Sequence, residues 1–110
     1  MTIITTGDAP KIPVTLKRDG TTFTIGGSAE IKAILTSLDR TTIISGEITI
    51  DKGATGTDLA NSKIIVTFTK AETSAITEVG HAYLEIQVDE TGDDPETWTD
   101  EVLIRQGNIA

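Results

Sequence analysis

The sequence is poor in the residues that carry most covalent and metal chemistry. Its 110 residues include no Cys, one His, one Trp, one Tyr and two Phe, and 17 acidic side chains face only 9 basic ones. Without Cys there is no disulfide framework, no thiolate catalysis and no Cys-ligated zinc. A formal charge of -8 would be repelled by a phosphate backbone, so we expect no nucleic-acid partner.

Long hydrophobic runs are also missing. No stretch approaches the roughly 18 apolar residues needed to span a bilayer, and the start Met-Thr-Ile-Ile-Thr-Thr lacks the basic region of a signal peptide. We therefore expect no membrane association and a mature protein that begins at Met1. The length suits one domain with one core.

β-Branched residues are abundant. The sequence holds 20 Thr and 16 Ile, whose stiff side chains fit a pleated sheet better than a helix. Apolar and polar residues alternate, with turn formers between the runs, near residues 12–16, 22–25, 29–35, 43–50, 63–69, 81–89 and 98–104. This spacing predicts an all-β fold, an Ig-like β-sandwich of about seven antiparallel strands with one short helical turn near residues 70–75.

Short sequence motifs predict the structure of several segments in and between the strands. Asp19-Gly20 between two alternating runs predicts a hairpin. Pro13 cannot donate to a ladder, so its strand should lie at an edge or carry a bulge. Thr69 and Glu72 have the spacing of a capping box, which predicts one or two helical turns. Residues 51–62 are rich in turn formers and predict an exposed loop.

The hydrophobic pattern of residues 28–38 fits both the two-residue period of a strand and the 3.6-residue period of a helix. As a strand, they place Ala29, Ile31, Ala33 and Leu35 on one face and leave Ile34 on the other. As a helix, apolar side chains would recur at Ile31, Ile34, Leu35 and Leu38. We favour the strand because a ten-residue helix is marginal and the neighbouring runs all predict short strands.

The first ten residues lack a long alternating pattern. We expect residues 1–10 to form an extended arm and residues 11–110 to form a single β-sandwich domain. Solvent exposure of Ile3 and Ile4 is unfavourable unless a neighbour covers them, so these two residues and Ile12 are candidate assembly contacts. The alternative is that the arm is a frayed tail.

The sequence contains only weak signals for a metal-binding or catalytic site. Residues 71–110 carry a charge of -9, and Asp89, Glu90, Asp93, Asp94 and Glu96 crowd one turn. This turn does not have the Asp-x-Asp-x-Asp-Gly spacing of a calcium loop, so we expect a solvated hairpin and no metal.

His81 has no second His to pair with, and no serine lies in a Gly-x-Ser-x-Gly setting. The glycine-rich stretches lack the strand-to-helix context and the Lys of a phosphate-binding loop, and they predict turns. We expect no catalytic residue, no cofactor and no enzyme activity.

The aromatic residues offer two further hypotheses. Trp98 and Tyr83 could form a sugar-stacking platform. Tyr83 follows a short helical turn and Gly80, an order that also fits the corner tyrosine of Ig-like sandwiches, whose hydroxyl bonds to the upstream backbone.

The order of these segments resembles the small Ig-like modules of tailed-bacteriophage virion proteins, notably those at the start of baseplate and tail-fibre proteins. The segments that carry the resemblance span most of residues 11–105 and are the turn at 17–21, the strands at 29–35 and 63–68, the helical turn at 70–73, the run at 80–88 and a last strand.

The resemblance implies a non-enzymatic structural component of a phage particle or prophage, such as a baseplate, tail or capsid accessory subunit. It implies contacts with other copies of the chain and with other virion proteins, and location in the virion after assembly in the host cytoplasm. Strand addition would supply affinity through backbone hydrogen bonds. The alternative function is a carbohydrate-binding β-sandwich module that uses Trp98 or Tyr83. A secreted adhesion module would require an export signal.

Overall fold

β-Strands dominate the computed structural model, which describes residues 2–90, 92 and 94–107. The elements in chain order are β1 (Thr2–Thr5), β2 (Lys11–Thr15), β3 (Glu30–Thr36), β4 (Ile43–Thr49), a 3-10 turn (Leu59–Asn61), β5 (Lys63–Thr67), α1 (Lys70–Ser74), β6 (Gly80–Asp89) and β7 (Glu96–Arg105). The described part of the chain thus confirms the all-β prediction. None of its helices is long and apolar enough to cross a membrane.

The strands form two sheets. One has five strands in the order β1-β7-β6-β3-β4, and the other pairs β2 with β5. Both sheets send buried side chains into the same core cluster, for example Leu35 and Leu84 from the larger sheet and Ile64 and Val66 from the smaller one. Phe68, directly after β5, is fully buried in this cluster.

Two-residue periodicity sets the inner face of the larger sheet. Alternate residues of β6 are buried, and those of β3 are buried in register with them. The buried residues of the two strands are Ala82, Leu84, Ile86, Val88, Ile31, Ala33 and Leu35. The strand prediction for residues 28–38 is therefore confirmed, and Ile34 faces outward as that prediction required.

The short helix is also confirmed. The Thr69 hydroxyl accepts a hydrogen bond from the Glu72 N–H at 3.1 Å, and the Glu72 carboxylate accepts one from the Thr69 N–H at 2.7 Å. This reciprocal pair is a capping box, which satisfies two donors that the helix leaves unpaired.

Pro13 lies in β2, an edge strand, as predicted. β2 pairs with β5 through backbone bonds at even-numbered positions, including the Leu16 N–H to the Ser62 carbonyl at 3.0 Å. The nitrogen of Pro13 therefore faces the unpaired side of β2, where the missing donor costs no ladder hydrogen bond.

The predicted hairpin after β2 is only partly formed. Asp19 and Gly20 both have positive φ, 53° and 78°, and Arg18 and Thr21 exchange two backbone hydrogen bonds across them. Residues 22–25 do not form a strand, because β2 pairs with β5 instead. The Ile25 N–H, which would face β2 in a hairpin, donates instead to the Leu59 carbonyl at 2.8 Å.

The predicted exposed loop at residues 51–62 is partly structured. It contains the 3-10 turn and ends at Ser62, which is fully buried. The Ser62 hydroxyl donates to the Leu16 carbonyl at 2.6 Å and accepts from the Phe23 N–H at 3.3 Å. One side chain therefore ties this loop to the segment after β2.

The N-terminal segment is folded onto the domain, in contrast to a free extended arm. β1 pairs parallel with β7 over four residues, from Thr2 opposite Val102 to Thr5 opposite Arg105. This pair also departs from the all-antiparallel prediction. A parallel pair needs a long connection, and nearly the whole chain lies between these two strands.

Candidate functional site

Trp98 and Tyr83 lie on opposite faces of the larger sheet. Trp98 pairs with Ile86, which is buried on the inner face, whereas Tyr83 pairs with Glu101 and alternates with buried Ala82 and Leu84. Because neighbouring positions in a strand point to opposite faces, the two rings share no surface. The hypothesis of a platform built from both is wrong for this fold.

Trp98 has a structural role. Its ring stacks on Phe23 with centroids 5.6 Å apart and an interplanar angle of 14°, and its indole N–H donates to the Lys17 carbonyl at 2.9 Å. The Arg18 guanidinium lies 4.1 Å from the Phe23 centroid and binds the Glu96 carboxylate at 2.7 Å. Together these contacts hold the turn at residues 18–21 against β7.

Tyr83 does not occupy the predicted corner. Its ring is half-buried on the outer face, with the Arg40 guanidinium 5.3 Å from its centroid. Arg40 also lies 3.5 Å from the Glu85 carboxylate. Among the hydrogen bonds of the described residues, the Tyr83 hydroxyl makes none to the upstream backbone, because its side chain faces away from the core.

The three candidate assembly residues have different environments. Ile4 is fully buried in the core and Ile12 is only 5% exposed, so the chain itself covers both. Ile3 points the other way and is 47% exposed. The reason for expecting an external partner therefore holds for Ile3 and fails for Ile4 and Ile12 in this fold.

The acidic turn between β6 and β7 contains individually engaged carboxylates. Glu90 accepts the Gly26 N–H at 2.8 Å and Glu96 binds Arg18, while Asp93 lies outside the described residues. His81 is 3.8 Å from the Glu101 carboxylate. In the described part of the chain, no three His, Cys, Asp or Glu side chains are grouped in a way that could hold a metal ion.

Exposed apolar side chains concentrate at one end of the larger sheet. Four large ones are exposed among the described residues, Ile3, Leu38, Ile43 and Val79. Val79 directly precedes β6, Leu38 follows the end of β3, and Ile43 begins β4. We call the end of the larger sheet that carries these four residues the apolar end.

Ile3 belongs to the same end through strand register. It pairs with Leu103 of β7, which pairs with His81 at the start of β6. The carboxylates of the acidic turn lie at the other end of these strands, where β6 ends and β7 begins. The molecule thus exposes its large apolar side chains at one end of the larger sheet and carries the acidic turn at the other.

Two depressions flank Val79. One, of about 330 Å³, is lined by Val79 together with Leu38, Ile44 and Ile104, among others. The other, of about 380 Å³, lies between Val79 and the segment that follows β1. The surface of the apolar end is therefore concave on both sides of Val79.

Three hydrogen bonds to the Asp39 carboxylate hold the turn beside the first depression. The Asp39 carboxylate accepts hydrogen bonds from the Ser37 hydroxyl at 2.6 Å, the Thr41 hydroxyl at 2.7 Å and the Thr41 N–H at 3.1 Å. These donors, led by Ser37, lower the pKa of Asp39 from its ordinary 3.8 to about 2. Asp39 therefore keeps its negative charge throughout the physiological range.

Leu38, Ile43 and Val79 were not among the functional candidates predicted from the sequence. Leu38 and Val79 lie just outside alternating runs, next to turn formers and Gly80, where an apolar side chain has no face of a strand to join. An apolar residue outside an alternating run was the sequence signal that could have identified Leu38 and Val79. Ile43 belongs to an alternating run, so its exposure depends on the sheet order.

Comparisons of the chain with protein-family models, with curated proteins and with solved structures found no match.

Proposed function

We propose that this protein is a non-enzymatic structural subunit of a tailed-phage particle that acts through protein–protein assembly. The observation that carries the assembly function is the apolar end, where four large apolar side chains are between 47% and 65% exposed. Large apolar side chains exposed at one end of a sheet, two of which (Leu38 and Val79) line a common depression, are typical of a protein interaction site. The tailed-phage context comes from the sequence resemblance.

Contacts between copies of the chain would use the open edges of the larger sheet. β1 and β4 are its terminal strands, so each has one side without a backbone partner among the described residues. Strand addition at such an edge gives affinity through backbone hydrogen bonds. In the smaller sheet, Pro13 removes a donor from the free side of β2, which makes that edge a poorer template.

The aromatic geometry does not favour the carbohydrate-binding alternative. Trp98 is engaged by Phe23 and by the Lys17 carbonyl, and Tyr83 is engaged by Arg40 on the opposite face. A sugar would have to use one ring by itself and displace an existing contact.

The proposal is tested on particles purified by density gradient from the culture that carries the gene. We expect quantitative mass spectrometry to find the protein in the particle fractions at a fixed copy ratio to the other virion proteins. Recovery only in the unassembled fractions at the top of the gradient would exclude a role as a particle subunit.

A further inference from the structure

The depression between Leu38 and Val79 has an apolar lining. Ile44 and Ile104 also line it, and both pack on or within the core of the domain, while Ser37, Gly80 and His81 complete the wall. Its volume of about 330 Å³ lies at the lower end of the range of ligand pockets, about 300–1,000 Å³. It therefore suits one or two side chains of a partner.

The rim of this depression is acidic. Asp39 and Glu78 line it together with His81, which lies 3.8 Å from the Glu101 carboxylate, and no Lys or Arg is among the described lining residues. Arg40, next to Asp39 in the chain, is turned onto the outer face, where it contacts Glu85 and the Thr99 hydroxyl. Arg105, which ends β7, donates to the Thr5 hydroxyl at 2.8 Å. These two cations are held by other partners, so the rim keeps its negative charge.

The charge argues against a second copy as the occupant. Each chain carries a formal charge of -8, and two depressions facing each other would bring together two sets of Asp39 and Glu78. Like charges that meet in an interface lose hydration and repel each other. A partner with positive charge beside an apolar side chain complements both the lining and the rim.

We infer that this depression binds an extended segment of another protein in which one aliphatic side chain is flanked by Lys or Arg. The aliphatic side chain contacts Leu38, Val79 and Ile104, and the flanking cations lie beside Asp39 and Glu78. This inference rests on the proposed assembly function and specifies the chemistry of the partner.

The test is a titration of ¹⁵N-labelled protein, followed by NMR, with the peptide acetyl-Gly-Lys-Leu-Lys-Gly-amide at about 0.15 M salt, where exposed long-range charge effects are largely screened. Two control peptides replace both Lys by Glu or the Leu by Gly. We expect saturable shifts confined to the amides around residues 37–39 and 78–81, and weaker binding of both controls.

Charge variants distinguish an effect of the acidic rim from an effect of the net charge of the molecule. Glu78→Gln and Asp39→Asn each remove one rim charge and should weaken peptide binding roughly two- to fivefold, the size typical of exposed charge pairs. Asp94→Asn removes a charge of the same sign from the opposite end and should leave binding unchanged. Thermal unfolding checks that each variant is folded.

Three outcomes would overturn the inference: shifts centred on the acidic turn, equal binding of the Gly control peptide, or equal loss from Asp94→Asn. None of these outcomes would remove the protein from purified particles, so they leave the proposed function standing. Recovery only in unassembled fractions, by contrast, would remove the proposed function itself.

Discussion

Ser62 illustrates how a single buried hydroxyl organises two loops. It has a left-handed conformation with φ of 52°, and its hydroxyl joins the Leu16 carbonyl to the Phe23 N–H. Ser62→Ala leaves both groups without this partner, so we expect the free energy of unfolding to fall by about 1–3 kcal/mol. Urea unfolding measures this change in the free energy of unfolding.

Two further serine variants control this experiment. Ser28 is exposed and its side chain makes no hydrogen bond among the described residues, so Ser28→Ala should change stability by less than about 0.5 kcal/mol. Ser62→Gly also removes the hydroxyl but relieves the left-handed backbone, so it should cost less than Ser62→Ala. An unchanged stability of Ser62→Ala would show that the hydroxyl does not hold the loops.

Asp39 gives a prediction about pH. Its hydroxyl and amide partners favour the ionised carboxylate, and the pKa of about 2 lies below the ordinary 3.8. Because the folded pKa is the lower one, these contacts contribute fully above about pH 4, and their contribution is lost as the pH falls toward 2. NMR titration of the Asp39 carboxyl group should give a pKa near 2.

The cause of this pKa is tested by Ser37→Ala, which removes the donor with the largest effect. We expect the pKa of Asp39 to rise toward 3.8 in this variant and to stay unchanged in Ser28→Ala. If Ser37→Ala left the titration where it was, the hydrogen bond from Ser37 would not be what favours the charge.

At the scale of elements, β1 depends on one core side chain and a polar attachment. Ile4 is fully buried, whereas its neighbour Ile3 is about half exposed. The Gly7 N–H donates to the buried Thr73 hydroxyl at 3.1 Å, and the Thr6 N–H to the Arg105 carbonyl at 3.0 Å. At Gly107, a Cβ would clash with the Thr6 carbonyl oxygen.

Neighbouring residues of β1 give a matched comparison. Ile4→Ala opens a cavity in the core and should lower the free energy of unfolding by about 2–5 kcal/mol. Ile3→Ala truncates an exposed side chain of the same type and should change it by less than about 0.5 kcal/mol. Urea unfolding of both proteins measures the difference. Similar losses for both would contradict the docked position of β1.

The sequence predicted those elements in which local and long-range requirements agree. β6 alternates over its whole length because one face meets the core, and α1 begins with its own cap, so both could be found from neighbouring residues. At residues 28–38 two periods competed, and the strand formed because β6 and β4 supply partners on both sides.

Long-range pairing explains the elements that were missed. The turn at Asp19-Gly20 is local and was predicted, but whether residues 22–25 continue as a strand depended on β5, some forty residues later in the chain. The parallel pairing of β1 with β7 joins residues about a hundred positions apart and leaves no periodic signal in a four-residue strand.

The site was harder to predict than the fold for the same reason. Trp98 and Tyr83 are the residues that composition singles out, yet strand register places them on opposite faces. The apolar end collects Ile3, Leu38, Ile43 and Val79 from three distant segments, because Leu38 and Ile43 flank the same turn between β3 and β4. Only the order of strands in the sheet brings these side chains to one end.

At the scale of the whole molecule, the two ends of the larger sheet differ in chemistry. The end where β6 begins exposes four large apolar side chains beside Asp39 and Glu78, and the end where β6 passes into β7 carries the carboxylates of the acidic turn. This arrangement favours docking in one orientation, with the apolar end against a partner and the acidic end in water.

The most direct test of this account is a competition for incorporation into particles. Wild-type protein and the variant Leu38→Ser/Val79→Ser are supplied in equal amounts, and their peptide ratio in purified particles is measured by mass spectrometry. The control variant Asp94→Ser/Thr97→Ser changes two exposed residues at the opposite end. We predict that the apolar-end variant is depleted several-fold relative to wild type, whereas the control is incorporated equally. Equal incorporation of a folded Leu38→Ser/Val79→Ser variant would contradict assembly through the apolar end.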